Sequence, residues 1–155
     1  MYYWAVIGKD KTRKSTTIYS LSGANRIQTA WELMVHGERK IAYVDHSSAQ
    51  ERTDRNTPEM LIAALREAKE ANPNLSHAML AFHHRRNGWP DAVAYLEALK
   101  ENYWECIGIV MTSPNAQTSQ WIEENLPEVS VTEMQALPRD PSNHIANSVR
   151  GAWGL

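Results

Sequence analysis

The apolar residues of the chain fall into five short, continuous runs, separated by longer stretches in which apolar and polar residues mix. The runs are Tyr2–Ile7, Lys40–Val44, His77–Phe82, Cys106–Met111 and, more weakly, Val129–Val131. Strands that are apolar without alternation are typical of a parallel sheet that is covered on both faces. This pattern predicts an α/β fold, a three-layer sandwich with a mostly parallel central sheet of about five strands and helices on both faces.

The stretches between these runs show the spacing of amphipathic helices. Apolar residues recur every three or four positions through 27–34 and stop at Gly37, which predicts a helix before that glycine. Thr57-Pro58 and Ser113-Pro114 each place a capping hydroxyl before a proline, so helices are expected to begin there. Similar stripes predict helices over 92–99 and 143–153. No linker or repeat interrupts the chain, so we predict a single domain, residues 1–155.

In an open parallel sheet, the loops that follow the strands emerge at one edge, and ligands bind there. These loops are predicted at 8–14, 45–56, 83–90, 112–115 and 132–143, and they hold most of the polar side chains of chemical interest. The segment 45–56 contains no large apolar residue and is long for such a connection. It is therefore a candidate lid over a bound ligand, or else a plain surface loop.

The first of these loops carries the most specific motif. Residues 8–15 read G-x-x-x-x-R-K-S between a predicted strand and a predicted helix. Backbone N–H groups of such a turn, together with the positive end of the helix, bind anions. The candidate ligand-binding residues are Gly8, Lys9, Asp10, Lys11, Thr12, Arg13, Lys14, Ser15 and Thr16.

This motif resembles the phosphate-binding loop of P-loop nucleoside triphosphatases, G-x-x-x-x-G-K-[ST], with Arg13 in place of the second glycine. The resemblance implies a P-loop NTPase-like fold and Mg²⁺ with ATP or GTP as cofactor. Lys14 would hold the outer phosphates, and Ser15 would hold the metal. Arg13 either carries backbone strain of about 1–3 kcal/mol or turns its guanidinium onto the phosphates. The alternative is a solvated basic turn.

Asp45 closes the second apolar run and resembles the Walker B aspartate of the same proteins, which would orient Mg²⁺ together with Ser15. An aspartate that merely caps a loop would give the same pattern. Arg85 and Arg86 follow the third run, and either can neutralise charge on a transferred phosphoryl group, as an arginine finger does. The candidate catalytic residues are thus Lys14, Asp45, Arg85 and Arg86, with solvated loop arginines as the alternative.

Two other features of the 83–90 segment bear on function. The adjacent histidines at 83 and 84 point opposite ways on an extended chain, so they are a poor chelating pair. Trp89 lies beside the arginines and is a candidate stacking surface for a base.

Composition narrows the function classes. The net charge of −2 over 155 residues means that any basic surface is local. The single cysteine, Cys106, lies in an apolar run and is expected to be a buried, inert thiol. No apolar stretch approaches the length of about 20 residues that a membrane span needs, and residues 1–4 do not resemble a signal peptide. We therefore expect a cytoplasmic protein without a membrane partner.

Two functions fit these patterns. The first is a small P-loop-type protein that binds a nucleoside triphosphate, or another polyphosphate, with Mg²⁺, and hydrolyses it or transfers its terminal phosphoryl group. The second is a non-catalytic module of the same fold that uses its basic edge to bind a partner protein or a nucleic-acid backbone. The missing glycine favours the second function, whereas the strand before the loop and the helix after it favour the first.

Overall fold

The computed structural model describes residues 1–155 and contains six strands, five α-helices and one 3₁₀ turn, Ala49–Glu51. The strands are β1 (Tyr2–Gly8), β2 (Gln28–Val35), β3 (Glu38–Ser48), β4 (Leu75–His83), β5 (Glu105–Met111) and β6 (Val131–Glu133). The helices are α1 (Lys14–Ser22), α2 (Pro58–Ala71), α3 (Ala92–Glu101), α4 (Ala116–Asn125) and α5 (His144–Trp153).

All six strands form one sheet in the order β2-β3-β4-β1-β5-β6. Only β2 is antiparallel to its neighbour, so the sheet is mostly parallel, as the apolar runs predict. The central strand β1 is buried along nearly its whole length between β4 and β5. The register pairs Gly8 at the end of β1 with His83 at the end of β4, so both chains leave the sheet at the same level.

Helices cover both faces of the sheet. One apolar core joins α2, α3 and α4 to the sheet and contains Leu65 and Leu96. The other joins α1 and α5 to the opposite face and contains Ile18 and Val149. The loop after β1 therefore leads to one face, whereas the loops after both of its neighbours lead to the other face. Such a divergence opens a crevice at the carboxyl edge of the sheet, where ligands bind in open α/β folds.

The helix predicted before Gly37 is wrong, because residues 28–35 form strand β2. Exposed and buried residues alternate at its end, where Leu33 and Val35 are buried and Met34 is exposed. His36 and Gly37 both have positive φ, which is the signature of a two-residue hairpin turn rather than of a helix stop. The sheet consequently has six strands instead of about five.

Three other predicted boundaries move, and the first is that of the last strand, which is Val131–Glu133 where the apolar run predicts 129–131. The 45–56 segment is not one loop, because β3 continues to Ser48 and the 3₁₀ turn follows it. Helix α4 is capped by Asn115, whose side chain accepts a hydrogen bond from the backbone of Thr118, and not by Ser113. The start of α2 is as predicted, with Thr57 as its cap and a proline in its first turn. None of the helices has the length and apolar character that would let it cross a membrane.

Candidate functional site

The turn after β1 is packed too tightly for any residue other than glycine at its first position. A Cβ on Gly8 would overlap the Thr112 hydroxyl and would lie 2.5 Å from the Thr12 hydroxyl. These two hydroxyl groups are 2.6 Å apart and join the turn to the end of β5. The Ser113 hydroxyl extends this link, since it accepts a hydrogen bond from the Lys9 backbone at 2.9 Å. The turn is thus anchored on the neighbouring strand.

Lys14 is the first residue of α1 and turns back into the loop. Its side chain is buried, and its Nζ donates to the Lys9 carbonyl at 2.7 Å. Burial lowers the pKa of Lys14 to about 8, although the charges of Glu51 and Asp10 oppose this shift. Lys14 has no carboxylate within ion-pair distance. A buried ammonium group of this kind is stabilised when an anion binds beside it.

Arg13 adopts the left-handed backbone conformation of a glycine, with φ 64° and ψ 26°. Its guanidinium donates three hydrogen bonds to backbone carbonyl groups of the segment 138–141. The strained backbone expected for Arg13 is therefore found. Its guanidinium, which was expected to turn onto phosphates as the alternative, is bound to the segment 138–141. The side chain of Arg13 does not cap α1, so the first N–H groups of the helix keep no partner within it.

A cavity of about 330 Å³ lies over this turn, within the size range of small-ligand sites. It is lined by nine residues, none of them hydrophobic: Asp10, Lys11, Thr12, Arg13, Lys14, Ser15, Thr16, Ser48 and Glu51. Seven of these belong to the loop and the start of α1 that the sequence motif marks. Gly8 and Lys9 do not line the cavity, but Gly8 packs closely against Thr112 and the Lys9 carbonyl accepts from Lys14, so both fix the conformation of the turn.

Two carboxylates of the cavity lining, Asp10 of the loop and Glu51, form a cluster with the buried imidazole of His83. Nε2 of His83 lies 3.1 Å from a carboxylate oxygen of Glu51. The ligand atoms of Asp10, Glu51 and His83 all lie within 4.8 Å of one another. Burial and the nearby Lys14 charge lower the pKa of His83, while Glu51 opposes the shift. A neutral imidazole beside a carboxylate can orient a water molecule or accept a proton at this cluster.

Asp45 lies outside the cavity lining. It is buried, and its carboxylate accepts from the Arg52 guanidinium at 3.0 Å and from the Ser47 backbone at 3.1 Å. Nε of Arg55 is 4.0 Å from the same carboxylate. The reason is local: the pairing of β3 with β4 is irregular between Val44 and Ser48, and Asp45 lies in that irregular stretch. The sequence motif predicts Asp45 in the cavity, but Ser48 and Glu51 line it instead.

The two candidate arginines, Arg85 and Arg86, have different surroundings. Arg86 is exposed, and its guanidinium lies 3.9 Å from Glu51 at the rim of the cavity. Arg85 is exposed and forms no ion pair. The neighbouring histidines have different partners, as expected for adjacent residues on extended chain: His84 contacts the Ser113 carbonyl at 2.6 Å, whereas His83 contacts Glu51.

The sequence motif does not identify Ser48, Glu51 or His83 as part of the site. The only signal for them is their position, since Ser48 and Glu51 lie in the polar segment 45–56 and His83 ends a predicted strand. Their approach to the loop depends on the sheet order, which the sequence does not encode locally. Comparison of the chain with models of known protein families, with curated protein sequences and with solved structures finds no match.

Proposed function

We propose that this protein binds the polyphosphate of a nucleoside triphosphate, together with Mg²⁺, in the cavity over residues 8–15. A wholly polar lining, a helix N-terminus without a side-chain cap and a buried lysine all favour a compact, highly charged anion. No hydrophobic side chain lines the cavity to hold an apolar ligand. The resemblance to the P-loop motif supports the same ligand class.

The observation that carries this proposal is the position of Lys14. Its ammonium group is desolvated, and its one hydrogen-bond partner is the loop's own carbonyl at Lys9. A phosphate oxygen in the cavity would exchange that neutral partner for a charged one, and charge-assisted hydrogen bonds are roughly twice as strong as neutral ones. Lys14 therefore binds the phosphates, and the N–H groups at the start of α1 bind them from the adjacent side.

The residues present fit a magnesium ion in this cavity. Mg²⁺ takes oxygen ligands and is usually held by one or two protein groups plus phosphates and water. Ser15 offers a hydroxyl at the start of α1, and Glu51 offers a carboxylate of the cavity lining. Asp45 is not placed to hold the metal there, because it lies outside the cavity lining and its Oδ1 is bound to Arg52.

Thermal melting with Mg·ATP, Mg·GTP and pyrophosphate tests the proposal. A ligand present at about 100 times its Kd stabilises the folded state by about 2.7 kcal/mol. For a domain of this size, that raises the melting temperature by about 5–10 °C. Replacing Lys14 with alanine should remove the increase and leave the melting temperature of the free protein nearly unchanged.

Lys100→Ala is the matched control, since Lys100 lies at the end of α3, near the opposite edge of the sheet. This variant should keep the full increase. If no nucleotide or pyrophosphate shifts the melting temperature of the wild-type protein, the proposal is wrong. It is also wrong if the two lysine variants respond alike.

A non-catalytic nucleotide-binding module is the second candidate, and one observation favours it. The residue that resembles the Walker B aspartate, Asp45, does not line the cavity, and its Oδ1 is bound to Arg52. Release of inorganic phosphate from Mg·ATP separates the two functions. Hydrolysis that is lost in Glu51→Gln but survives in Asp45→Asn would assign turnover to Glu51. Binding without phosphate release in the wild-type protein would establish the module.

A further inference from the structure

The loop between β4 and α3 projects from the same edge of the sheet as the cavity, and we refer to residues 85–89 as the β4–α3 loop. Its backbone is closed by a hydrogen bond from the Trp89 N–H to the Arg86 carbonyl at 3.0 Å, and these two residues form an isolated antiparallel bridge. Gly88 supplies the positive φ of 79° that the turn between them requires. The loop is therefore a small hairpin with a defined shape.

The base of this hairpin is fixed by one buried side chain, that of Gln50. The Gln50 amide nitrogen donates to the His83 carbonyl at 3.0 Å and to the Pro90 carbonyl at 3.2 Å. Its amide oxygen accepts from the His83 backbone at 3.1 Å. Gln50 thus holds the chain on both sides of the hairpin. The next residue in the chain is Glu51, which lines the cavity.

The tip of the hairpin carries cations and an aromatic ring that the fold does not use. All residues from Arg85 to Trp89 are exposed. Trp89 is 41% exposed and belongs to neither apolar core. Arg85 forms no ion pair, and Arg86 has only the 3.9 Å approach to Glu51. The indole of Trp89 and the guanidinium of Arg85 contribute little to folding, so both are free to contact a ligand.

We propose that the β4–α3 loop binds single-stranded nucleic acid. The indole of Trp89 stacks on an unpaired base, and the guanidinium groups of Arg85 and Arg86 contact the phosphates that flank it. Because Arg86 and Trp89 are bridge partners, a phosphate-binding group and a stacking surface stand side by side on the hairpin. Lys9 and Lys11 are exposed at the same edge and extend the positive surface.

Two features favour this ligand over other anionic partners. Bases of a duplex are already stacked on each other, so a duplex would leave the ring of Trp89 without a partner. An acidic peptide would pair with the arginines and would likewise leave the ring unused. The net charge of the chain is −2, so attraction of a polyanion is confined to this edge. The proposal does not depend on a nucleotide in the cavity, and the two can fail separately.

Fluorescence anisotropy with a labelled oligo(dT) of about 16 nucleotides tests the proposal. Replacing Trp89 with alanine should weaken binding by roughly 5- to 150-fold, which is the loss of one base–aromatic stack of about 1–3 kcal/mol. Trp89→Phe should restore most of the affinity. Arg85→Ala should instead reduce the slope of log K against log salt by about 0.7, since one phosphate contact is lost.

Two matched controls lie at the opposite edge of the sheet. Tyr103 is 91% exposed and precedes β5, and Arg39 is an exposed residue at the start of β3. Tyr103→Ala and Arg39→Ala should bind oligo(dT) as the wild-type protein does. Melting temperatures of all variants should stay within a few degrees of the wild type, because none of these side chains is in a core.

The proposal is overturned if oligo(dT) does not bind at low salt, or if Trp89→Ala loses no more affinity than Tyr103→Ala. Competition decides between partners: a single strand should displace the probe, whereas a duplex and polyglutamate of equal charge should do so much less well. Displacement by polyglutamate at the same concentration as by the single strand would show a cation surface for acidic proteins and would refute the assignment.

Discussion

The clearest quantitative test of the site is the pH dependence of polyphosphate binding. Burial lowers the pKa of Lys14 to about 8 in the free protein. A bound phosphate would raise the pKa again, because an opposite charge nearby favours the ammonium form. The free protein must therefore take up a proton before it binds at alkaline pH, and affinity is expected to fall as the pH rises through 8.

The magnitude follows from the fraction of Lys14 that is protonated. With a pKa near 8, this fraction is roughly 76% at pH 7.5 and roughly 3% at pH 9.5. Affinity should drop by the ratio of these values, about 25-fold, which corresponds to about 2 kcal/mol. Mg·ATP contributes little to this change, because its terminal phosphate behaves like a phosphate monoester, whose second pKa is about 6, and its charge is already complete at pH 7.5.

Isothermal titration calorimetry with Mg·ATP at several pH values measures the effect directly. At pH 9, titrations in two buffers with different ionisation enthalpies should show that about 0.9 proton is taken up for each ligand bound. Lys14→Arg is the control, because a guanidinium stays charged across this range. Any affinity that this variant retains should be nearly independent of pH. A flat profile for the wild-type protein, or an equal loss in the arginine variant, would refute the role of Lys14.

Three further predictions concern the turn after β1 and the core of the sheet. Arg13→Gly should be more stable than Arg13→Ala by about 1 kcal/mol in urea unfolding, because both lose the guanidinium contacts but only alanine keeps the cost of positive φ; equal stabilities would mean that the residue is not strained. Gly8→Ala should lower the melting temperature and abolish polyphosphate binding, since its Cβ would overlap the Thr112 hydroxyl; retention of both properties would show that the turn has room. Burial, helped by Lys40 and the N-terminal amine, lowers the pKa of His77 from 6.5 to about 4. The stability that the neutral ring contributes is therefore complete above pH 6.5 and is lost between pH 6.5 and 4. The melting temperature of the wild-type protein should fall more steeply over this range than that of His77→Phe, which keeps the stack on Trp4. Parallel curves for the two proteins would contradict this.

The parts of the fold that the sequence predicts well are those with a local physical cause. The apolar run from Tyr2 is a buried central strand because parallel strands in the middle of a sheet have no polar face. Helix α2 begins where Thr57 and Pro58 place it, since a capping hydroxyl and a proline act within one turn. The marked loop likewise lies at the end of β1 and over the cavity.

The interval 28–35 was ambiguous because its apolar residues satisfy two periods. Trp31 and Met34 fit a helical stripe, but burial alternates, with Leu33 and Val35 inside. The hairpin turn at His36 and Gly37 favours a strand over a helix here, because its positive φ values match the twist of two adjacent strands. The pairing partner, β3, is what converts a weak local preference into a strand.

The acidic cluster of the site was beyond sequence reasoning for a different reason. Glu51 and His83 are 32 residues apart and meet only because β3 and β4 are neighbours in the sheet. Asp45, which has the better motif, is turned toward Arg52 by the irregular pairing after Val44. A motif describes the order of residues along one strand, whereas a change in register decides which of them reaches the ligand.

Arg13 shows how a residue other than glycine can hold a left-handed backbone before α1. Its φ is 64°, a conformation that glycine adopts without steric cost. An arginine in this conformation costs about 1–2 kcal/mol relative to glycine. Three hydrogen bonds to the segment 138–141 offset that cost, since a bond from a charged donor contributes about 1.5–3 kcal/mol. The side chain of Arg13 thus ties the turn after β1 to the chain that leads into α5.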